Sequence, residues 1–150
     1  MNFDNAQELR KYLLEQFGLV LPQNVQLTKT KGHGIRVHRK GIRTDRIFGL
    51  EGYMAYSNKA GINPYFMQLF GHLATKNVLA VNEEDAKKYT AGEPLKKKIK
   101  IARGEVLLVH KCHVLGYGIH DGKGGITCPL REKRRRKLSN SIGPWPGRLM

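Results

Sequence analysis

The sequence predicts an α+β fold, and three observations carry that reading. Apolar residues recur at helical spacing in separate stretches. Between them lie short runs with period-two alternation, and Gly, Pro and Asp-Gly signals punctuate the chain. The two patterns interleave without the regular βαβ alternation of a parallel sheet, so a mixed or barrel-like sheet with flanking helices fits best. With 40% hydrophobic residues among 150, the chain can bury a real core.

The first element is a helix over residues 4–17. Asp4 can N-cap it with Gln7 three positions on, as in a capping box. Leu9, Leu13 and Phe17 line one face, and Gly18 ends it. From Val25 the pattern turns to strands: Val25 and Leu27, then Ile35 and Val37, alternate with polar residues. Residues 32–34 (Gly-His-Gly) turn the chain between them. Ile47 to Tyr56 holds one or two further strands. Asn63-Pro64 starts a second helix whose apolar stripe is Phe66, Leu69, Phe70 and Leu73. Val78 to Val81 is a short strand. Asn82-Glu83-Glu84-Asp85 opens a third helix, with acids at the positive end of its dipole, and Gly92 stops it. The last third reads as strands at Glu105–Lys111, Val114–His120 and Gly125–Cys128, with an Asp121-Gly122 hairpin signal. The expected organisation is an N-terminal helical segment at 1–22, one domain at 23–130 and a basic tail at 131–150.

Charge narrows the function. Lys plus Arg is 27 against 12 Asp plus Glu, a formal charge of +15. Such self-repulsion calls for a polyanionic partner. No basic amphipathic helix with exposed aromatics suggests a lipid surface, and no apolar run is long enough for a membrane span. The first residues lack the pattern of a secretory signal, so the expected location is cytoplasmic. The charge falls in three clusters. Lys29, Lys31, Arg36, Arg39, Lys40, Arg43 and Arg46 form the first, with Arg36 and His38 sharing the strand face opposite Ile35 and Val37. Lys96, Lys97, Lys98, Lys100 and Arg103 form the second. Arg131, Lys133, Arg134, Arg135, Arg136 and Lys137 form the third. Clustered cations that neutralise phosphates give strong, salt-sensitive binding. No helix-turn-helix, zinc-finger or zipper pattern points to DNA. Basic residues on strands and loops suit RNA shape and backbone.

Other chemistry is less well supported. His110, Cys112, His113, His120 and Cys128 lack zinc-ligand spacing, so no metal or cofactor is expected. Cys112 and Cys128 read as reduced, buried thiols. Gly116-Tyr117-Gly118 lets a backbone approach closely, and Tyr117 can pack in the core or stack on RNA. Trp145 can anchor the tail on the domain or stack on a base, the anchor being the preferred reading.

Residues 77–130 also carry a resemblance. Asn77-Val78-Leu79-Ala80-Val81-Asn82-Glu83-Glu84-Asp85-Ala86, Tyr89, Gly92-Glu93-Pro94-Leu95, Gly104-Glu105-Val106-Leu107-Leu108-Val109 and Leu115-Gly116-Tyr117-Gly118 form one pattern. It resembles the PUA-like RNA-binding domain at the C-terminal end of RNA cytosine-5 methyltransferases of the Sun/Fmu and nucleolar-protein group. Gly41-Ile42-Arg43 and the Pro64–Leu73 helix extend the likeness to roughly residues 33–137. The resemblance implies a PUA-like pseudo-barrel that grips rRNA or tRNA. Those enzymes place their chemistry in a large cofactor-binding domain with Pro-Cys and Thr-Cys motifs, for which 150 residues leave no room. Thr127-Cys128-Pro129 echoes the nucleophile motif but falls inside the accessory module. The expectation is therefore a non-catalytic RNA-binding protein, with rRNA first and tRNA second as partners, ribosomal proteins as possible neighbours and no small-molecule substrate. The alternatives are a stable ribosomal or biogenesis component and the RNA-binding subunit of a split methyltransferase.

Overall fold

A computed structural model describes residues 2–30, 32, 34–39, 53–129 and 135. The fold is α+β, as the interleaved periodicities require. The chain divides into two compact units, residues 1–76 and 77–150. That boundary falls inside the single domain expected at 23–130.

The first unit begins with helix α1 (Ala6–Phe17). Its N-cap is Asn5, one residue later than expected. Asn5 Oδ1 accepts from the Glu8 amide at 2.9 Å, and Glu8 Oε2 accepts from the Asp4 amide at 2.6 Å. The reciprocal pair thus uses Asn5 and Glu8 rather than Asp4 and Gln7. Gly18 ends the helix in the left-handed conformation, its amide on the last-turn carbonyls. Leu9, Leu13 and Phe17 are fully buried, as their spacing predicts.

Strands β1 (Val25–Lys29), β2 (Gly34–Arg39), β3 (Tyr53–Ser57) and β4 (Gly61–Ile62) form an antiparallel sheet in sequence order. Helix α2 (Pro64–Phe70) follows, capped by Asn63 with proline in its first turn. Its buried side chains are Phe66 and Met67, whereas Leu69 is 42% exposed. The expected stripe through Leu69 and Leu73 is displaced, because the α-helix stops after about two turns and Leu73 falls in the 3-10 turn Gly71–Leu73 beyond it. The N-terminal segment is integral to this unit. The Phe17 carbonyl accepts from the Thr75 and Lys76 amides, and the Tyr56 hydroxyl accepts from the Phe3 amide at 3.1 Å.

The second unit holds β5 (Val78–Ala80), α3 (Glu83–Thr90), β6 (Leu95–Lys96), β7 (Gly104–His110), β8 (His113–His120) and β9 (Gly125–Thr127). The strands order as β5-β7-β8-β9-β6, with β5 parallel to β7 and the other pairs antiparallel. Helix α3 starts at Asn82, whose Oδ1 accepts from the Asp85 amide. Its core is Val81, Ala86, Tyr89, Leu95, Val106, Leu108, Leu115 and Ile126, with Ile99, Ile101 and Cys128 packed against it. Two-residue strands such as β4 and β6 show no periodicity and escape a sequence reading. Among the described residues, no helix is long and apolar enough to cross a membrane.

Candidate nucleic-acid interface

The second lysine cluster becomes a surface in the second unit. From residue 95 to 101 exposure alternates: Lys96, Lys98 and Lys100 are exposed, while Leu95, Lys97, Ile99 and Ile101 turn inward. Leu95 is in the core, and Ile99 and Ile101 pack against it. The apolar side thus fixes the segment and forces the three lysines outward in a row. In extended chain, alternate side chains repeat every ~6.7 Å.

Lys97 departs from its neighbours. Its ammonium is paired with the buried Asp85 carboxylate in the first turn of α3. That pair fastens the lysine segment to the helix, so Lys97 is structural and not a spare cation. Removing one partner would strand the other charge in a half-dry site.

The β8–β9 hairpin adds a cation that clustering along the sequence does not reveal. Lys123 sits at its tip, and an open depression of about 430 Å³ is lined by Lys96, Lys97, Lys98, Asp121, Lys123, Gly124 and Gly125. The one acid there is satisfied locally. Asp121 Oδ1 accepts from the Lys123 amide at 2.6 Å and the Gly125 amide at 3.0 Å. Those two N–H groups hold its carboxyl below the usual carboxylate range. The carboxylate stays ionised, but Lys96, Lys98 and Lys123 outnumber it, so the depression keeps its positive character.

The hairpin is pinned from both sides. The Lys97 amide donates to the Gly124 carbonyl at 2.7 Å. His120, fully buried, has Nδ1 3.2 Å from the Ala102 carbonyl and accepts at Nε2 from the Gly124 amide at 3.0 Å. A carbonyl can only accept, so Nδ1 donates to it while Nε2 serves as the acceptor. His120 thereby ties the 99–103 segment to the hairpin. Gly124 has φ +97°, and a Cβ there would lie 2.5 Å from the Lys97 carbonyl oxygen. Only glycine permits this approach.

The other expected site residues divide. Gly116, Tyr117 and Gly118 are buried in β8. The Tyr89 hydroxyl donates to the Tyr117 carbonyl at 2.8 Å, and a Cβ on Gly116 would meet that hydroxyl at 2.9 Å. A Cβ on Gly118 would meet Ile126 Cγ2 at 2.6 Å. These glycines admit core side chains, and all three residues are buried packing elements of β8. Burial pushes the Tyr117 phenol up to about 12, with Glu105 adding to it. Arg135 lies against Gly92, just past the end of α3, where a Cβ would meet its guanidinium at 2.5 Å. A cation there faces the negative end of the helix dipole, which gives Arg135 a structural use.

In the first unit, Arg36 and His38 do share the face opposite Ile35 and Val37, with Arg36 paired to Thr28 and His38 to Gln26. His38 is committed, however. Its Nδ1 faces the Arg39 carbonyl at 3.2 Å, and its Nε2 lies 2.6 Å from Thr28 Oγ1. Both ring nitrogens are thus engaged within the sheet. Lys29 pairs with Ile35 and Arg39 with Val25, placing both at strand ends, where they are exposed. Lys31, Lys40, Arg43, Arg46, Arg131, Lys133, Arg134, Arg136, Lys137 and Trp145 lie outside the described residues.

The histidines and cysteines do not converge. His110 Nδ1 sits 3.0 Å from the Val81 carbonyl, and His120 is engaged as above. Among the described residues, no group of three or more His, Cys, Asp or Glu could hold a metal ion. Both cysteines are free. Cys112 is exposed in the β7–β8 turn, contrary to the expected burial, because a tight turn points its residues to solvent. Cys128 is half-buried beside Tyr89.

No protein-family model matches the chain, and no curated protein matches it in sequence.

Helix α3 offers no cationic face to rival the lysine row. Lys87 and Lys88 are paired with Glu83 at 3.4 Å and Glu84 at 3.7 Å, one turn earlier. Besides those helix pairs, the exposed cations of this unit's described part are Lys96, Lys98, Lys100, Arg103, Lys111 and Lys123, on loops and strand ends.

Proposed function

We propose that the protein binds structured RNA without catalysing a reaction on it, through the lysine row and the β8–β9 hairpin of its second unit. The observation that carries this reading is the outward row of Lys96, Lys98 and Lys100, joined by Lys123 across an open depression whose only acid is satisfied by backbone amides. An open, rigid, cationic strip suits a phosphate backbone, and its placement on strands and loops suits RNA shape rather than insertion of a helix into a DNA groove. The most recognisable residues of the PUA-like resemblance, 77–130, fall within the second unit, while its full extent, roughly 33–137, crosses the boundary between the units. rRNA is the preferred partner and tRNA the second, in a cytoplasmic setting.

The test is binding of the full chain to a folded rRNA fragment, a tRNA and a duplex DNA across a salt series. Lys96, Lys98, Lys100 and Lys123 changed together to Ala should flatten the log–log salt slope by about 0.7 to 0.9 per lost phosphate contact. An unchanged slope, or preference for the DNA duplex, would overturn the reading.

A further inference from the structure

The first unit holds a second depression, of different chemistry. It has a volume of about 360 Å³ and is lined by Asn24, Val25, Val37, His38, Arg39, Leu69 and Phe70. That volume lies toward the small end of the roughly 300–1,000 Å³ typical of small-molecule sites. Its floor comes from the β1–β2 pair and from the part of α2 that the core does not use. Phe70 is held in place by the fully buried Phe66, with ring centroids 5.1 Å apart, and Leu69 beside it is 42% exposed. The His38 ring is fixed through both of its nitrogens. The site is therefore built before anything enters it.

We propose that this depression receives one unpaired nucleotide of the bound RNA. The inference rests on the RNA-binding reading and deepens it. Charge and shape select the occupant. None of the lining residues is acidic, and they combine the exposed Arg39 with the apolar and aromatic side chains of Val25, Val37, Leu69 and Phe70. A nucleotide matches both halves: a flat base for Phe70 and Leu69, and a phosphate for the guanidinium. Asn24 supplies an amide that can both donate and accept at a base edge. The depression is too small for a helix laid in a groove. Sequence-specific recognition of RNA targets such unstacked bases, which the lysine strip of the second unit has no aromatic surface to read.

The experiment is a titration of the isotopically labelled full chain with cytidine and adenosine 5′-monophosphates, followed by amide chemical shifts, with ribose 5-phosphate as the base-free control. Saturable shifts at Val37, Arg39, Leu69 and Phe70 are expected from at least one nucleotide, and much smaller ones from ribose 5-phosphate. Phe70→Leu, which keeps an apolar side chain against Phe66, should weaken nucleotide binding roughly tenfold while leaving the rest of the spectrum in place. Arg39→Gln, at an exposed position, should weaken it without altering the fold. Equal response to ribose 5-phosphate, or no loss in either variant, would overturn the proposal. So would a short peptide of acidic and apolar residues shifting these amides when the nucleotides do not. The lysine variant separates the two readings. If it abolishes RNA binding while mononucleotide shifts persist, the pocket and the strip are distinct sites. If the wild-type chain binds mononucleotides but no folded RNA, the proposed function fails and the pocket stands.

Discussion

Two glycine-rich stretches lie a few residues apart on one hairpin, and they serve opposite ends. Gly116-Tyr117-Gly118 is buried, and its missing side chains make room for the Tyr89 hydroxyl and for Ile126. Gly122 to Gly125 surrounds an exposed lysine, and its missing side chains let backbone meet backbone at Lys97 and admit the Asp121 carboxylate. In both cases glycine marks a close approach. What approaches decides the outcome: core side chains in one stretch, a loop that presents charge in the other. Glycine richness alone is therefore a signal of contact and not of binding.

The comparison can be broken at its stronger end first. Gly116→Ala combines a backbone at φ +141° with a collision against a buried, bonded hydroxyl. It should cost about 3 kcal/mol, seen as a lower denaturant midpoint, and should leave RNA affinity intact wherever the protein remains folded. Gly124→Ala sets a Cβ against the Lys97 carbonyl and should cost about 2 kcal/mol. Unlike the first variant, it should also weaken RNA binding, because it displaces Lys123 from Lys96 and Lys98. If both variants behave alike, the division between core and site is wrong.

Alkaline titration tests the core stretch alone. The Tyr117 phenol is raised from 10.0 to about 12, so the folded state holds this proton more tightly than the unfolded one. The stability this contributes is complete below pH 10 and is lost as pH rises through about 12. With some solvent screening allowed for, the loss is about 2 kcal/mol. Buried Tyr89 acts in the same direction. Denaturant midpoints at about pH 9 and about pH 11, one unit either side of the free phenol, should diverge less in Tyr117→Phe than in wild type. Tyr89→Phe removes the hydrogen bond to the Tyr117 carbonyl and should cost about 1 kcal/mol in the same measurement.

The smallest effect belongs to the exposed loop. Asp121→Ala removes the acceptor for the Lys123 and Gly125 amides. Hydrogen exchange should quicken at those two amides, with little change in the global midpoint. The Asp121 carboxyl is lowered, so what it contributes is present above the ordinary carboxylate range and fades as pH falls through its own value. Exchange at the same amides should therefore exceed the rate expected from pH alone only at strongly acidic pH.

Local chemistry fixed much of what was legible in the sequence. The Leu9–Leu13–Phe17 spacing, Gly18, Asn63-Pro64, Asn82 with its acids, and the paired strands near the C-terminal end all depend on neighbours within a few residues. The α+β class and the concentration of positive charge followed from the same short-range patterns. The tertiary structure decided which charges are available. Lys97 is consumed by Asp85, Arg135 by the end of α3, and both nitrogens of His38 by a threonine and a carbonyl. Meanwhile Lys123 joins Lys96 and Lys98 from about 25 positions further along, a span that only strand pairing closes. It also decided that the boundary between units falls after residue 76, that Leu69 is exposed and that Phe70 lines a depression. Burial and ion pairing are sums over neighbours distant in sequence, and a one-dimensional pattern records a side chain's chemistry but not its company.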